Sequence, residues 1–186
     1  YNTYMLSNSH PNFEKRLEQL IMAVKLVYAS TYLKAPRSYA KSTMHRTEDE
    51  EMAVVLQQLT GMAYNKYFYP SISGVAQSYN FYPISHLKAE EGVTYIALGL
   101  GKIVMEGGRT IRFCPKYPQF LPQFSVLDDI LENSQKYFYA LKLDQSMGDE
   151  KSISTSNEDL TLEKLDLSDA TDHPVVRFLS STYYAQ

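Results

Sequence analysis

Residues 69–85 read YPSISGVAQSYNFYPIS and residues 91–117 read EGVTYIALGLGKIVMEGGRTIRFCPKY. Short apolar runs punctuated by glycine, proline and asparagine predict strands at Ser73 to Phe81 and Val93 to Leu98. The second strand runs into Gly99-Leu100-Gly101. A short helix near Lys102 to Met105 follows, then Gly107-Gly108 and a third strand, Thr110 to Cys114. Strands dominate without the regular strand–helix alternation of a doubly wound sheet, so the order predicts an α+β fold with mostly antiparallel pairing.

Upstream, Met52 to Thr60 is an apolar run bounded by the acidic cluster Thr47 to Glu51 and by Gly61. That pattern predicts a strand buried on both faces, with Ser73 to Phe81 as its antiparallel partner across a loop rich in tyrosine and asparagine. The acidic cluster lacks the alternating spacing of an oxygen cage and reads as a solvated turn. Further back, Leu17, Leu20, Ile21, Val24, Val27 or Tyr28, and Thr31 recur at helical spacing. They predict a helix over Asn12 to Leu33 with Asn12 as N-cap. Arg37 to Ser42 extends it as a short second helix, separated near Pro36.

Downstream, Ser125-Val126-Leu127-Asp128 has the form of a capping box and predicts a helix to about Leu143, with Asp128 and Asp129 at its positive end. Asp144 to Asp159 is polar and reads as a mobile loop. Leu160 to Leu167 and Val175 to Ser181 read as strands. The resulting organisation is one domain of three parts: a helical segment, 1–45; a central lobe, 46–117; and a helix with peripheral strands, 118–186.

The 186 residues carry a formal charge of −3, with basic residues scattered among acids. No basic face is visible that would neutralise a run of phosphates, which argues against nucleic acid. No window approaches the roughly 20 apolar residues of a membrane span. Cys114 is the single cysteine and no signal region opens the chain, so the expected setting is cytoplasmic. The chain begins at Tyr1 and ends at Gln186, which suggests an excised fragment. Its 16 tyrosines read as half-buried packing residues.

His10, His45, His86 and His173 have no partner at metal-ligand spacing, and Cys114 has no histidine beside it in sequence, so it reads as core. No Walker-type or GxGxxG run is present. The glycines at 99, 101, 107 and 108 are open to two readings. Glycine at a strand-to-helix turn lets backbone N–H groups approach an anion, and tight turns use glycine for positive φ with no ligand at all.

These stretches resemble the nucleotide-binding domain of the phosphoenolpyruvate synthase and pyruvate phosphate dikinase family. Leu56-Gln57-Gln58-Leu59-Thr60 is similar to the family's adenine-edge strand. Ser73-Gly74-Val75-Ala76 is similar to its SGVxFTxDP stretch, and Gly99-Leu100-Gly101-Lys102-Ile103-Val104 to its GLGExVVxG turn. Thr3 to Leu6 and the helix Asn12 to Leu33 resemble the preceding segment. Similarity is close from Tyr1 to about Tyr117 and fainter beyond.

The resemblance implies an ATP-grasp-like lobe and a parent enzyme of the pyruvate, water or phosphate dikinase type. Such an enzyme uses ATP and Mg²⁺ to phosphorylate a histidine on a separate swivelling domain, which then converts pyruvate to phosphoenolpyruvate. Gln57, Gln58, Leu59 and Thr60 would present backbone groups to adenine. Ser73, Gly74, Gly99, Gly101 and Lys102 would shape the phosphate side. By the same resemblance, the family's phosphate-binding lysine and arginine lie before Thr3, and its magnesium-binding acid after Gln186. None of the four histidines takes the phosphorylated role, and this chain alone is expected to be inactive.

Two departures stand out. Lys102 replaces the family's acid, and a lysine's point charge does not copy a carboxylate's contacts. The FTxDP stretch has become Ser78-Tyr79-Asn80-Phe81-Tyr82-Pro83. Both support a rival reading, a non-catalytic nucleotide-binding or interaction module on the same scaffold, whose tyrosines would form a docking face.

Overall fold

The computed structural model describes residues 3–42, 52–143 and 162–167. The expectations for Thr47 to Glu51, Asp144 to Asp159 and Val175 to Ser181 lie outside these residues, as do His45 and His173. The described residues fall into two compact units, the first within Tyr1–Leu59 and Leu141–Leu162, the second within Thr60–Ala140 and Glu163–Gln186.

The first unit is built on α1 (Phe13–Ser30) and α2 (Lys34–Ser42). Asn12 caps α1 as its sequence predicts: its backbone is extended and its Oδ1 accepts from the Glu14 N–H at 2.8 Å. Arg16 Nη1 donates to the His10 carbonyl at 2.6 Å and to Pro11 O at 3.1 Å, pinning the approach to the helix. The covered stripe is rotated from the expected one. Leu20, Ala23, Val24 and Val27 line an apolar groove with Thr3, Tyr4, Leu6 and Met52 to Leu56, while Leu17, Ile21 and Tyr28 are exposed.

Met52 to Thr60 corrects the sequence expectation. It forms neither helix nor strand and belongs to neither sheet, and Val55 and Leu56 are 84% and 67% exposed. Apolar, β-branched content favours extended backbone, but a strand exists only where a neighbouring strand completes its ladder. Among the described residues none does so here.

The second unit holds most of the core. β1 (Met62–Tyr64) and β2 (Tyr67–Tyr69) form a hairpin inside the segment expected to be a loop, pairing Met62 with Tyr69 and Tyr64 with Tyr67. Asn65 takes φ 52° in its turn, a conformation asparagine tolerates. β3 (Ser73–Gln77) is antiparallel to β4 (Val93–Ala97), not to the Met52 segment, with Ser73 opposite Ala97 and Gln77 opposite Val93. β4 then leads through the glycine turn to α3 (Lys102–Met105), and β5 (Ile111–Phe113) pairs antiparallel with β4. These elements sit where the sequence predicts.

After α4 (Leu127–Asn133) the structure departs again. The helix expected to reach Leu143 stops at Asn133, and Tyr137–Lys142 form β6, which lies between β2 and β7 (Leu162–Asp166) in a sheet ordered β1-β2-β6-β7. Ser125 does not cap the helix; its hydroxyl donates to Pro122 O at 2.9 Å. Within this strand side chains alternate between faces: Tyr137 and Tyr139 are half-buried, and Phe138 and Ala140, on the other face, are fully buried. Asp128 and Asp129 do occupy the first turn of α4.

Tyr69, Val93, Leu100, Ile103, Cys114 and Phe138 are the heart of this core. Burial pushes the Tyr69 phenol up to about 12, with Tyr64 adding to the effect. Cys114 is 2% exposed, as its core assignment requires. No helix of the described residues is long and apolar enough to cross a membrane.

Candidate functional site

The end of β4 and the start of β3 lie side by side, because Ser73 pairs with Ala97. That register carries the chain from Leu98 into the Gly99-Leu100-Gly101 turn next to Ser73. Of the nine residues singled out from sequence, Ser73, Gly74, Gly99, Gly101 and Lys102 are thus gathered at one end of the three-stranded sheet. Gln57, Gln58 and Leu59 belong to the irregular stretch of the first unit, and Thr60 opens the second. Their expected contact with a purine is a proposal taken up below.

The glycines of this corner have different physical reasons. Gly99 has φ 83°, and a Cβ there would lie 2.8 Å from Tyr139 O and 2.9 Å from the Phe138 side chain. Gly74 faces the neighbouring strand so closely that a Cβ would lie 2.4 Å from Tyr95 O. Gly101 differs from both. Its φ of −61° and ψ of −4° suit any residue, and a Cβ would have only Ser73 within 4 Å, at 3.8 Å from Cβ and 3.9 Å from Oγ.

The turn is bolted to β6. Leu100 N–H donates to Tyr139 O at 2.9 Å. Gln135 Oε1 accepts from Leu98 N–H at 2.9 Å, and its Nε2 donates to Leu98 O at 3.0 Å and to Tyr137 O at 2.9 Å. This amide thereby does for Leu98 what a neighbouring strand would do. Replacing Gln135 with alanine leaves the buried Leu98 groups without partners and is expected to cost about 2 kcal/mol. Urea unfolding reads the loss as a lower midpoint; a variant that unfolds like wild type would show that the clamp is dispensable. No sequence signal marks Gln135, which lies 37 positions from Leu98.

Lys102 is engaged inside the protein. Its Nζ lies 3.6 Å from Glu106 Oε1, one turn on, and 5.5 Å from the centre of the Tyr139 ring. Tyr139 OH donates to Glu106 Oε2 at 3.0 Å. Burial raises the Tyr139 phenol, and the hydrogen bond and charge of Glu106 raise it further, with Lys102 opposing. At four residues α3 is too short for an appreciable macrodipole.

Asn80, at the departure from FTxDP, is 3% exposed and serves as a latch. Its N–H donates to Ala89 O at 2.8 Å, and its Oδ1 accepts from Tyr82 N at 3.1 Å and from Arg112 Nη2 at 3.2 Å. Arg112 also donates to Tyr82 O at 2.8 Å, so the loop after β3 is tied to β5.

One polar atom at this corner is unexplained by the fold. Ser73 Oγ is buried and has no hydrogen-bond partner among the described residues. Buried side-chain oxygens rarely lack a partner, and each such case asks for a cause. A hydroxyl donor is of the chemical kind that a phosphate oxygen accepts from. For a divalent cation the fit is absent: among the described residues no three His, Cys, Asp or Glu side chains form a metal-holding group.

Antiparallel sheets with flanking helices, closed at one corner by a glycine turn, define an α+β domain of the ATP-grasp-like kind. The chain belongs to the family described as pyruvate phosphate dikinase, AMP/ATP-binding domain, whose match covers residues 1–171. No curated protein and no solved structure matches the chain. Membership makes it an ATP-binding domain of a kinase-type family.

Proposed function

We propose that this chain is part of the ATP-binding domain of a phosphoenolpyruvate synthase-like phosphotransferase. The observation that carries the reading is the family match over residues 1–171, spanning both glycine-bearing motifs. In this reading Gln57 to Thr60 offer backbone groups to the adenine edge, and the corner at Ser73 and Gly101 receives the phosphates. Bound ATP would supply the phosphoryl group destined for a histidine on a separate domain and then for pyruvate. The role left to this chain is positioning and water exclusion, which dominate phosphoryl transfer. The Gln135 clamp supports that role by holding the corner rigid. Mg²⁺ would neutralise phosphate charge, and no described residue is assigned to it.

A second reading is favoured by Lys102. With its ammonium turned to Glu106 and the Tyr139 face, it fits a scaffold that binds nucleotide without chemistry. Two measurements on the full-length protein separate the readings. ATP at a hundredfold above its Kd stabilises a one-site binder by about 2.7 kcal/mol, a rise in Tm of roughly 5 to 10 °C. A coupled assay should then show pyruvate-dependent ATP consumption with phosphoenolpyruvate formed. A Tm shift without turnover selects the non-catalytic module, and no shift at all removes both readings.

A further inference from the structure

We infer that the uncovered side of α1 is an interface between two copies of this chain, with the helices pairing antiparallel about a two-fold axis near Met22. The inference does not depend on the nucleotide reading. The apolar arc of α1 is wider than what packs on it. Leu20, Ala23 and Val27 line the groove of the first unit, whereas Leu17, Ile21 and Tyr28 are 42%, 45% and 49% exposed. With Val24, which borders the groove, they recur at intervals of four, three and four residues. That is the alternating a and d spacing of a coiled-coil seam. A single exposed leucine is ordinary, but a regular apolar seam along an otherwise charged helix face marks a contact.

Charge selects the occupant. Glu18 and Lys25 follow Leu17 and Val24 directly, so they flank the seam on one side, seven residues apart. In an antiparallel pair this flank meets its own counterpart. Glu18 of each copy then faces Lys25 of the other, and both contacts join opposite charges. A parallel pair would bring it against the opposite flank, Leu20 and Val27, which is committed to the groove. The same antiparallel register sets Leu17 against Tyr28 of the second copy and Ile21 against Val24 of the second copy, each contact occurring twice, as a two-fold axis requires. Glu18 can be recruited, because its bridge to Lys15 is long, at 3.8 Å, and both side chains are exposed. One helix from each copy makes a small interface, so the association is weak, and the charges supply specificity more than affinity.

The test is sedimentation velocity on the full-length protein at concentrations up to roughly 100 μM. Wild type is compared with Glu18→Lys, Lys25→Glu and Ile21→Asp, all at exposed positions, and circular dichroism checks that each variant is folded. Wild type is expected to form dimers as its concentration rises. Either charge reversal places like charges at both contacts and should weaken dimerisation about tenfold. An equimolar mixture of the Glu18→Lys and Lys25→Glu proteins restores opposite charges and should associate about as well as wild type, a recovery that altered folding does not produce. Ile21→Asp should remain monomeric throughout. A wild-type protein that stays monomeric overturns the inference, the result expected if another segment of a longer chain covers α1. Dimers that none of the variants weakens overturn it as well, since they are held by another face, and so does a mixture that associates no better than its components. None of these outcomes bears on ATP binding.

Discussion

Replacing Gly99 with alanine is expected to destabilise the second unit by roughly 3 kcal/mol, combining backbone strain with a lost hydrogen bond. At φ 83° any side chain pays the left-handed penalty. The new Cβ also meets Tyr139 O at 2.8 Å and Phe138 at 2.9 Å. Tyr139 O is the acceptor of Leu100 N–H, so backing away from the clash breaks the bond that fixes the turn. For a chain of this size the loss corresponds to a fall in Tm of about 6 to 12 °C. Thermal melting of the purified variant measures it. A Tm within a degree or two of wild type would mean that the turn is not held against β6 as described.

Phe138→Ala should be at least as damaging, at about 3–5 kcal/mol, the usual range for emptying a buried aromatic site. Phe138 is 1% exposed and its ring lies 5.0 Å from that of Tyr69. The cavity would open under the glycine turn, where β6 and the Gln135 clamp limit collapse. Val55→Ala, at a residue 84% exposed, is the matched control and should change stability by no more than about 0.5 kcal/mol. Equal urea midpoints for the two variants would contradict the placement of the core. The Gly99→Ala and Phe138→Ala effects should also fall slightly short of additivity when combined, because removing the ring relieves the contact with Phe138 Cδ2 at Gly99 while those with Tyr139 O and the residue-138 Cβ remain.

Both variants probe features that are half visible in the amino-acid order. Gly99 reads as a turn glycine, and α3 and β5 follow it as expected, because turn chemistry is decided within three or four residues. Asn12 is recognisable as a cap for the same reason. The partner of Gly99 is not readable, since Phe138 and Tyr139 are about forty positions away and looked helical. The capping-box pattern at Ser125 was satisfied locally by a different bond, to Pro122 O, and the aromatic run beyond Asn133 went to the sheet. Tyr64-Asn65-Lys66-Tyr67 passed as loop because its strands are only three residues each.

The candidate site divides in the same way. The resemblance of Gln57 to Thr60, of Ser73-Gly74 and of Gly99 to Val104 to family motifs pointed to ATP, and the family match over residues 1–171 agrees on the family and its nucleotide. Which glycine is structural and which is spare was invisible: Gly99 and Gly101 look alike in a GLG string, and only the neighbours of their absent Cβ atoms tell them apart.

Helix starts, tight turns and family motifs were therefore legible from the residues themselves, for they depend on groups close along the chain. The pairing of β3 with β4, the strand at Tyr137–Lys142, the Gln135 clamp and the orphaned Ser73 hydroxyl emerged only from folding. Each depends on contacts between residues 16 or more positions apart, where burial and ladder completion outweigh local preference.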